Sequence, residues 1–179
     1  MRSFTLVELI VSLAVLIILS SILLVSPSRG PESYRFTATV QKLVADIERA
    51  KSFSLGARVF KASVPSGGWG VHFVKGESCY ILFGDENANG LYDGAGETLC
   101  DANAASPASE RFERVFLSEG VEISLLTPTD SVDIIYLPPL PRIFVNGSET
   151  TNVQITLRSK ALNVTKTIIA NIVGNVSVQ

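Results

Sequence analysis

Residues 4–25, FTLVELIVSLAVLIILSSILLV, form an apolar run of 22 residues that carries a single ionisable side chain, Glu8. As an α-helix such a run extends about 33 Å, roughly the hydrocarbon thickness of a bilayer, so the sequence predicts a transmembrane helix. A secretory signal peptide would need a charged n-region, a shorter apolar core and a small-x-small cleavage site. Here only Met1, Arg2 and Ser3 precede the run. Glu8 is the anomaly, because a carboxylate in hydrocarbon is costly unless it finds a partner. It reads either as a residue of the headgroup zone near one end of the helix or as a group with a task. Cleavage before Phe4 would create an α-amino cation at similar depth, able to pair with Glu8 of a neighbouring copy.

One such segment in 179 residues leaves about 150 for a single modest globular domain. A net charge of −2 with 46% hydrophobic residues fits neither a nucleic-acid-coating protein nor a disordered acidic tail. Pro and Gly are scattered at turns, and no fixed-period repeat is present. SPSRGP at residues 26–31 breaks the helical pattern through Pro27, Gly30 and Pro31. Beyond it, YRFTATVQKLVADIERAKSFSL sets Phe36, Val40, Leu43, Val44, Ile47 and Ala50 at helical spacing, with Arg35, Gln41, Lys42, Glu48 and Arg49 on other faces. That pattern predicts an amphipathic helix within residues 32–57, the spine of a globular domain.

From Arg58 the chain changes to short β-branched and aromatic runs: RVFKASV, WGVHFV, CYILF, RVFL, VEISLL, VDIIYL, RIFV, VQITLRS and VTKTIIANIV, separated by Gly, Pro, Asn or Asp. Helix first and strands after predicts an α+β domain over residues 58–179 with a mainly antiparallel β-sheet.

The stretch SFTLVELIVSLAVLIIL resembles the N-terminal signature of type IV pilins and of the pseudopilins of type II secretion. GWGVHF, the Asp/Asn-rich turn after YILF and the closing ANIVGNVSV are most similar to minor pilins and pseudopilins of the FimT and GspH kind. The resemblance implies a pilin-like fold: a long N-terminal helix, transmembrane in its first half and amphipathic in its second, packed on the sheet domain. It implies a leader at residues 1–3, cleavage between Ser3 and Phe4 by a prepilin peptidase, N-methylation of Phe4, and Glu8 as an assembly residue. The family favours Gly before the cut, and this chain has Ser3. The implied partners are other pilin or pseudopilin subunits, the peptidase, an inner-membrane assembly platform and membrane lipid. The implied location is the bacterial inner membrane as a single-pass protein with its domain outside the cytoplasm, and then a filament of a type IV pilus or a type II secretion pseudopilus. The alternative within the family is a pilus-associated DNA-binding subunit for DNA uptake. DNA capture needs clustered Lys and Arg, and the residues after Gly174, NVSVQ, supply none.

DENANGLYDGAGE, residues 85–97, is the most chemical-looking stretch. A hard cation such as calcium takes six to eight oxygens, delivered by alternate side chains around a turning Gly. Asp85, Asn87 and Asn89 stand at positions one, three and five of such a loop. Gly90 is the sixth, the Leu91 carbonyl the seventh and Asp93 the ninth. Position twelve, where a bidentate Glu belongs, is Gly96, and Glu97 follows one residue late. No cofactor is otherwise required, and the loop reads either as a structural Ca²⁺ site or as an Asx-rich turn.

Cys79 and Cys100 flank the loop. If CYILF and ETLC pair as hairpin arms, a disulfide clips the loop ends in an oxidising compartment; otherwise both are buried thiols. In WGVHFV, Trp69, Val71 and Phe73 alternate onto one face and leave His72, the sole histidine, on the other, more solvated side. No nucleophile elbow or phosphate-cradling glycine loop is present, so the sequence reads as a non-enzyme.

Overall fold

Pro31 lacks the N–H that a continuous helix would require and opens a new one. Among the residues described by the computed structural model (5–24, 30–94, 99–101, 106, 108–139, 142–149, 152–171 and 173–179, with side chains of 21–24 excepted) there are two helices, α1 (Leu6–Leu24) and α2 (Gly30–Leu55). In the first turn of α2 the missing donor of Pro31 is no loss. The chain divides into two units, residues 1–31 and 32–179. The expected single long N-terminal helix packed on one sheet is therefore corrected to two separate helices.

No helix among the described residues is long and apolar enough to cross a membrane. This overturns the transmembrane segment expected over residues 4–25 and, with it, the expected single-pass placement in a bacterial inner membrane. Within its own unit α1 is apolar all round, and every residue from Leu6 to Ser20 is exposed.

In the second unit, α2 buries Phe36, Val40, Leu43, Ile47 and Ala50. It ends where Ala57 turns to φ +47°, with Arg58 N–H donating to the Phe53 carbonyl and Ala57 N–H to that of Ser54, a Schellman closure. Ten strands follow among the described residues: β1 (Trp69–Val74), β2 (Cys79–Gly84), β3 (Arg111–Phe116), β4 (Val121–Thr127), β5 (Ser131–Leu137), β6 (Arg142–Val145), β7 (Ser148–Glu149), β8 (Asn152–Ser159), β9 (Val164–Asn171) and β10 (Val176–Val178). They form two antiparallel sheets rather than one, in the orders β3-β2-β1-β5-β6-β7 and β10-β9-β8-β4. RVFKASV is not a strand: Lys61 takes φ +53° and only an isolated Phe60–Ser63 bridge forms.

One hydrophobic core joins the apolar stripe of α2 to both sheets, through Val71, Tyr80, Leu82 and Ile134 on one side and Ile123, Ile155, Leu157 and Ile168 on the other. Polar side chains fix the helix on this core. Tyr80 donates its hydroxyl to buried Asp46 Oδ2 at 2.6 Å, Ser54 Oγ donates to the Tyr136 carbonyl at 2.5 Å, and Arg49 pairs with Glu113 at 2.8 Å. Trp69 closes the C-terminal end of α2, in edge contact with Phe53, Phe60 and Phe112, while its indole N–H donates to the Arg58 carbonyl at 3.1 Å.

The opposite face of the six-stranded sheet carries a smaller cluster, Ile81, Phe83 and Ile135, with Tyr92, Leu99 and Phe144 packed on it. The loop between β2 and β3 thus lies over that face and is positioned by it.

Candidate functional site

Glu8 sits in the first turn of α1 and has a local partner. Its Oε2 accepts the backbone N–H of Thr5 at 3.1 Å and the Thr5 hydroxyl at 3.0 Å, while Thr5 Oγ1 accepts the N–H of Glu8 at 3.3 Å. This is a capping box, with Thr5 as N-cap and Glu8 as the third helical residue. The two bonds from Thr5 hold the Glu8 carboxyl below the usual carboxylate range. The signal T-x-x-E was present in the sequence and was obscured by reading the acid against lipid. Ser3 and Phe4, the expected cleavage and methylation positions, lie outside the described residues.

The second candidate is the loop that leaves β2. Asp85 is 1% exposed, and its Oδ2 accepts the N–H of Gly90 at 2.9 Å. Asn87 Oδ1 accepts from Asn89 N–H at 3.0 Å, and Asn89 Oδ1 from Leu91 N–H at 2.8 Å. These side-chain-to-backbone bonds coil the chain around its own polar groups, helped by Ala88 at φ +58° and Gly90 at φ +78°. The amide nitrogens of Asn87 and Asn89 stand 2.6 and 3.0 Å from Asp93 Oδ2, so three side chains converge on one point. Gly90 must be glycine: a Cβ there would meet Gly147 Cα at 2.4 Å, as well as straining the backbone.

Glu97, the expected twelfth-position acid, lies outside the described residues. A different acid closes the loop. Glu110 is 3% exposed; its Oε1 accepts Glu86 N–H at 2.8 Å and its Oε2 accepts Asp93 N–H at 3.1 Å. Antiparallel pairing explains its arrival: Phe83 pairs with Arg111, and Gly84 N–H donates to the Glu110 carbonyl, so the residue preceding β3 abuts the residue following β2. Burial pushes the Glu110 carboxyl above the usual carboxylate range against the two N–H bonds, and the charges of Asp85 and Asp93 add to the rise. The only signal for it in the sequence was the Glu immediately before RFERVF, legible once the β2–β3 pairing is known.

Cys79 and Cys100 form a disulfide with Cα atoms 5.7 Å apart. Cys100 does not lie on a hairpin arm, as ETLC suggested: β3 is the partner of β2, and Cys79 pairs there with Phe116. The bridge instead fastens the crossing loop to the start of β2. Among the described residues, the one set of three His, Cys, Asp or Glu donor atoms all within 4.8 Å of one another is Glu77, Cys79 and Cys100, whose sulfurs are spent in this bond. The disulfide closes a loop of 21 residues, and its reduction is expected to lower stability by about 3 kcal/mol. Urea midpoints of oxidised and reduced protein measure this; equal midpoints would show that the unfolded loop is constrained by something else.

His72 lies opposite Trp69, Val71 and Phe73, yet it is not solvated. Its side chain is 12% exposed, with Nδ1 2.5 Å from Asp133 Oδ1 and its ring tilted against Tyr92 at 4.9 Å. Comparison with known protein families, curated proteins and solved structures found no match to this chain.

Proposed function

We propose that the protein is a structural subunit of a filament of the type IV pilin and type II secretion pseudopilin class, processed before Phe4 by a prepilin peptidase and assembled through α1. The observation that carries this reading is the exposure of α1: Leu6, Val7, Leu9, Ile10, Val11, Leu13, Val15, Leu16, Ile17, Ile18 and Leu19 are all large, apolar and about half exposed or more. A helix apolar on every side is stable only when something surrounds it. A bundle of like helices from neighbouring subunits does so, and Glu8 at its tip pairs with the α-amine of the next Phe4. The capping box prepares the carboxylate for that contact by holding it at the helix start.

Two substitutions separate pairing from capping. Glu8→Ala removes both functions, whereas Glu8→Gln keeps a capping acceptor and removes the charge. A charge-assisted hydrogen bond contributes about 1.5–3 kcal/mol, so both variants are expected to enter filaments about 10–100-fold less efficiently than the parent while still being processed. Filament fractions probed by immunoblot, with N-terminal sequencing of the subunit, measure this. Retention of residues 1–3 in cells with an active prepilin peptidase, or normal incorporation of both variants, would sink the reading.

A further inference from the structure

We propose that the outer face of the six-stranded sheet holds a lysine pocket: a cavity walled by Ile135, Leu137 and Phe144, with the carboxylate of Asp85 at its edge, takes the side chain of a lysine presented by a partner polypeptide. The pocket uses no residue of α1 and stands independently of the filament reading.

The first observation is the carboxylate. Asp85 is 1% exposed, and its two oxygens differ: Oδ2 accepts the N–H of Gly90 at 2.9 Å, whereas Oδ1 has no hydrogen-bond partner among the described residues. The neighbouring acids are satisfied inside the loop. Glu110 holds one backbone N–H on each oxygen, and Asp93 Oδ2 meets two side-chain amides. These acids do not gather around a metal ion, since among the described residues only Glu77, Cys79 and Cys100 bring three His, Cys, Asp or Glu donor atoms within 4.8 Å of one another. A buried carboxylate oxygen without a donor is costly, so an incoming N–H group is favoured there. Asp85 lines a cavity of about 270 Å³. Gly90, which Oδ2 binds, and Gly67, on which a Cβ would lie 2.1 Å from Oδ2 and 2.7 Å from Oδ1, line the same space. The room that a side chain on Gly67 would fill is left to the carboxylate.

The second observation is the wall. Ile135 and Leu137 alternate onto one face of β5, and Phe144 of β6 is paired with Ile135. One unpartnered anionic oxygen beside a hydrocarbon wall matches a lysine, whose methylene stem lies on the wall while its ammonium donates to Oδ1. Arginine matches less well, because its guanidinium fork is best met by two free carboxylate oxygens and Oδ2 is already engaged. A second hollow of about 200 Å³ shares Leu137 and Phe144 with the first and continues past Pro138 and Pro139 to the Arg142–Glu149 ion pair. A free diamine fills the first hollow alone. A lysine carried on a polypeptide also lays its neighbouring residues in the second, and this continuity selects a polypeptide as the occupant.

The test is titration of a short blocked alanine peptide with one central lysine into full-length, disulfide-intact protein in mild detergent, read by calorimetry and by the methyl resonances of Ile135 and Leu137. A Kd on the order of 0.1–1 mM is expected, with both methyls shifting. The same peptide with norleucine, which keeps the stem and removes the charge, should bind about tenfold more weakly or worse, and the arginine peptide about threefold more weakly. Cadaverine, a free diamine, should bind about tenfold more weakly than the lysine peptide because it leaves the second hollow empty. Asp85→Asn keeps the shape of the side chain and should weaken the lysine peptide about tenfold or more, while Asp130→Asn, on the exposed β4–β5 turn, should not. No binding of the lysine peptide to the parent protein at about 10 mM, or equal affinity for the norleucine peptide, overturns the pocket without reference to any variant. Cadaverine binding as tightly as the lysine peptide overturns the polypeptide occupant. Parent-like affinity in Asp85→Asn overturns the role of Asp85.

Discussion

Trp69→Ala is expected to lower stability by about 3–5 kcal/mol, the range for removing a large aromatic side chain from a core. Trp69 is fully buried, and three rings, Phe53 at 5.0 Å, Phe112 at 5.2 Å and Phe60 at 5.7 Å, meet it edge to face. These rings come from α2, β3 and the segment before β1, so the loss is not confined to one element. Arg58 is tied in twice, by its carbonyl to the indole and by its guanidinium, 3.9 Å from the Phe53 ring centre. Without the indole, that carbonyl loses its donor and the Schellman turn after α2 loses its anchor. Urea unfolding followed by far-UV circular dichroism measures the effect. Trp69→Phe, which keeps edge contacts but not the donor, should recover more than half of it. A loss below about 1 kcal/mol in Trp69→Ala would show that the ring cluster closes over the gap and does not fasten the helix.

Local patterns in the sequence carried the elements far better than their assembly. The spacing of Phe36, Val40, Leu43 and Ile47 is the buried face of α2, and the alternation of Trp69, Val71 and Phe73 is the buried face of β1. The periodicity is physical, since each side of an element meets one environment. What periodicity does not contain is the partner. VEISLL and VDIIYL are neighbours in sequence, yet β4 joins the four-stranded sheet and β5 the six-stranded one, which is why a single sheet was expected. The short β7 was missed although Asn146 and Gly147, at φ +48° and +74°, are the residues of a type I′ hairpin turn. The loop between β2 and β3 shows the same division. Asp85 to Asp93 are legible as a run because their bonds are local, whereas Glu110 arrives through a strand pairing that no loop pattern encodes. For α1, apolar length alone was read as a membrane span. The capping box of Thr5 and Glu8 starts the helix at Leu6, and its last described residue is Leu24.

Raising the pH above about 10 should unfold the β domain through two of the chain's four tyrosines. Tyr80 and Tyr136 are each 1% exposed, and burial drives both phenols well above the ordinary tyrosine range. For Tyr80 the Asp46 carboxylate that accepts its hydroxyl adds to the rise, and for Tyr136 the charge of Glu48 does. A folded-state pKa above the unfolded value means that the stability from keeping these phenols protonated is fully present below about pH 10 and is lost as the pH climbs past it. Each group then contributes a slope of about 1.4 kcal/mol per pH unit, so the pair removes about 5 kcal/mol by about pH 12. That is comparable to the whole stability of a small domain, about 5–15 kcal/mol. Phenolate absorbance and circular dichroism recorded on one titration should therefore show two phenols ionising only as the fold is lost. Tyr80→Phe separates the two roles of that hydroxyl. At neutral pH it leaves buried Asp46 without its closest donor and should cost about 1.5–3 kcal/mol, while above about pH 10 it should halve the slope. A titration in which all four phenols ionise with the circular dichroism unchanged would mean that neither hydroxyl is sealed by the core. The contact between Tyr80 and Asp46 would then be a surface feature rather than the bolt between α2 and β2.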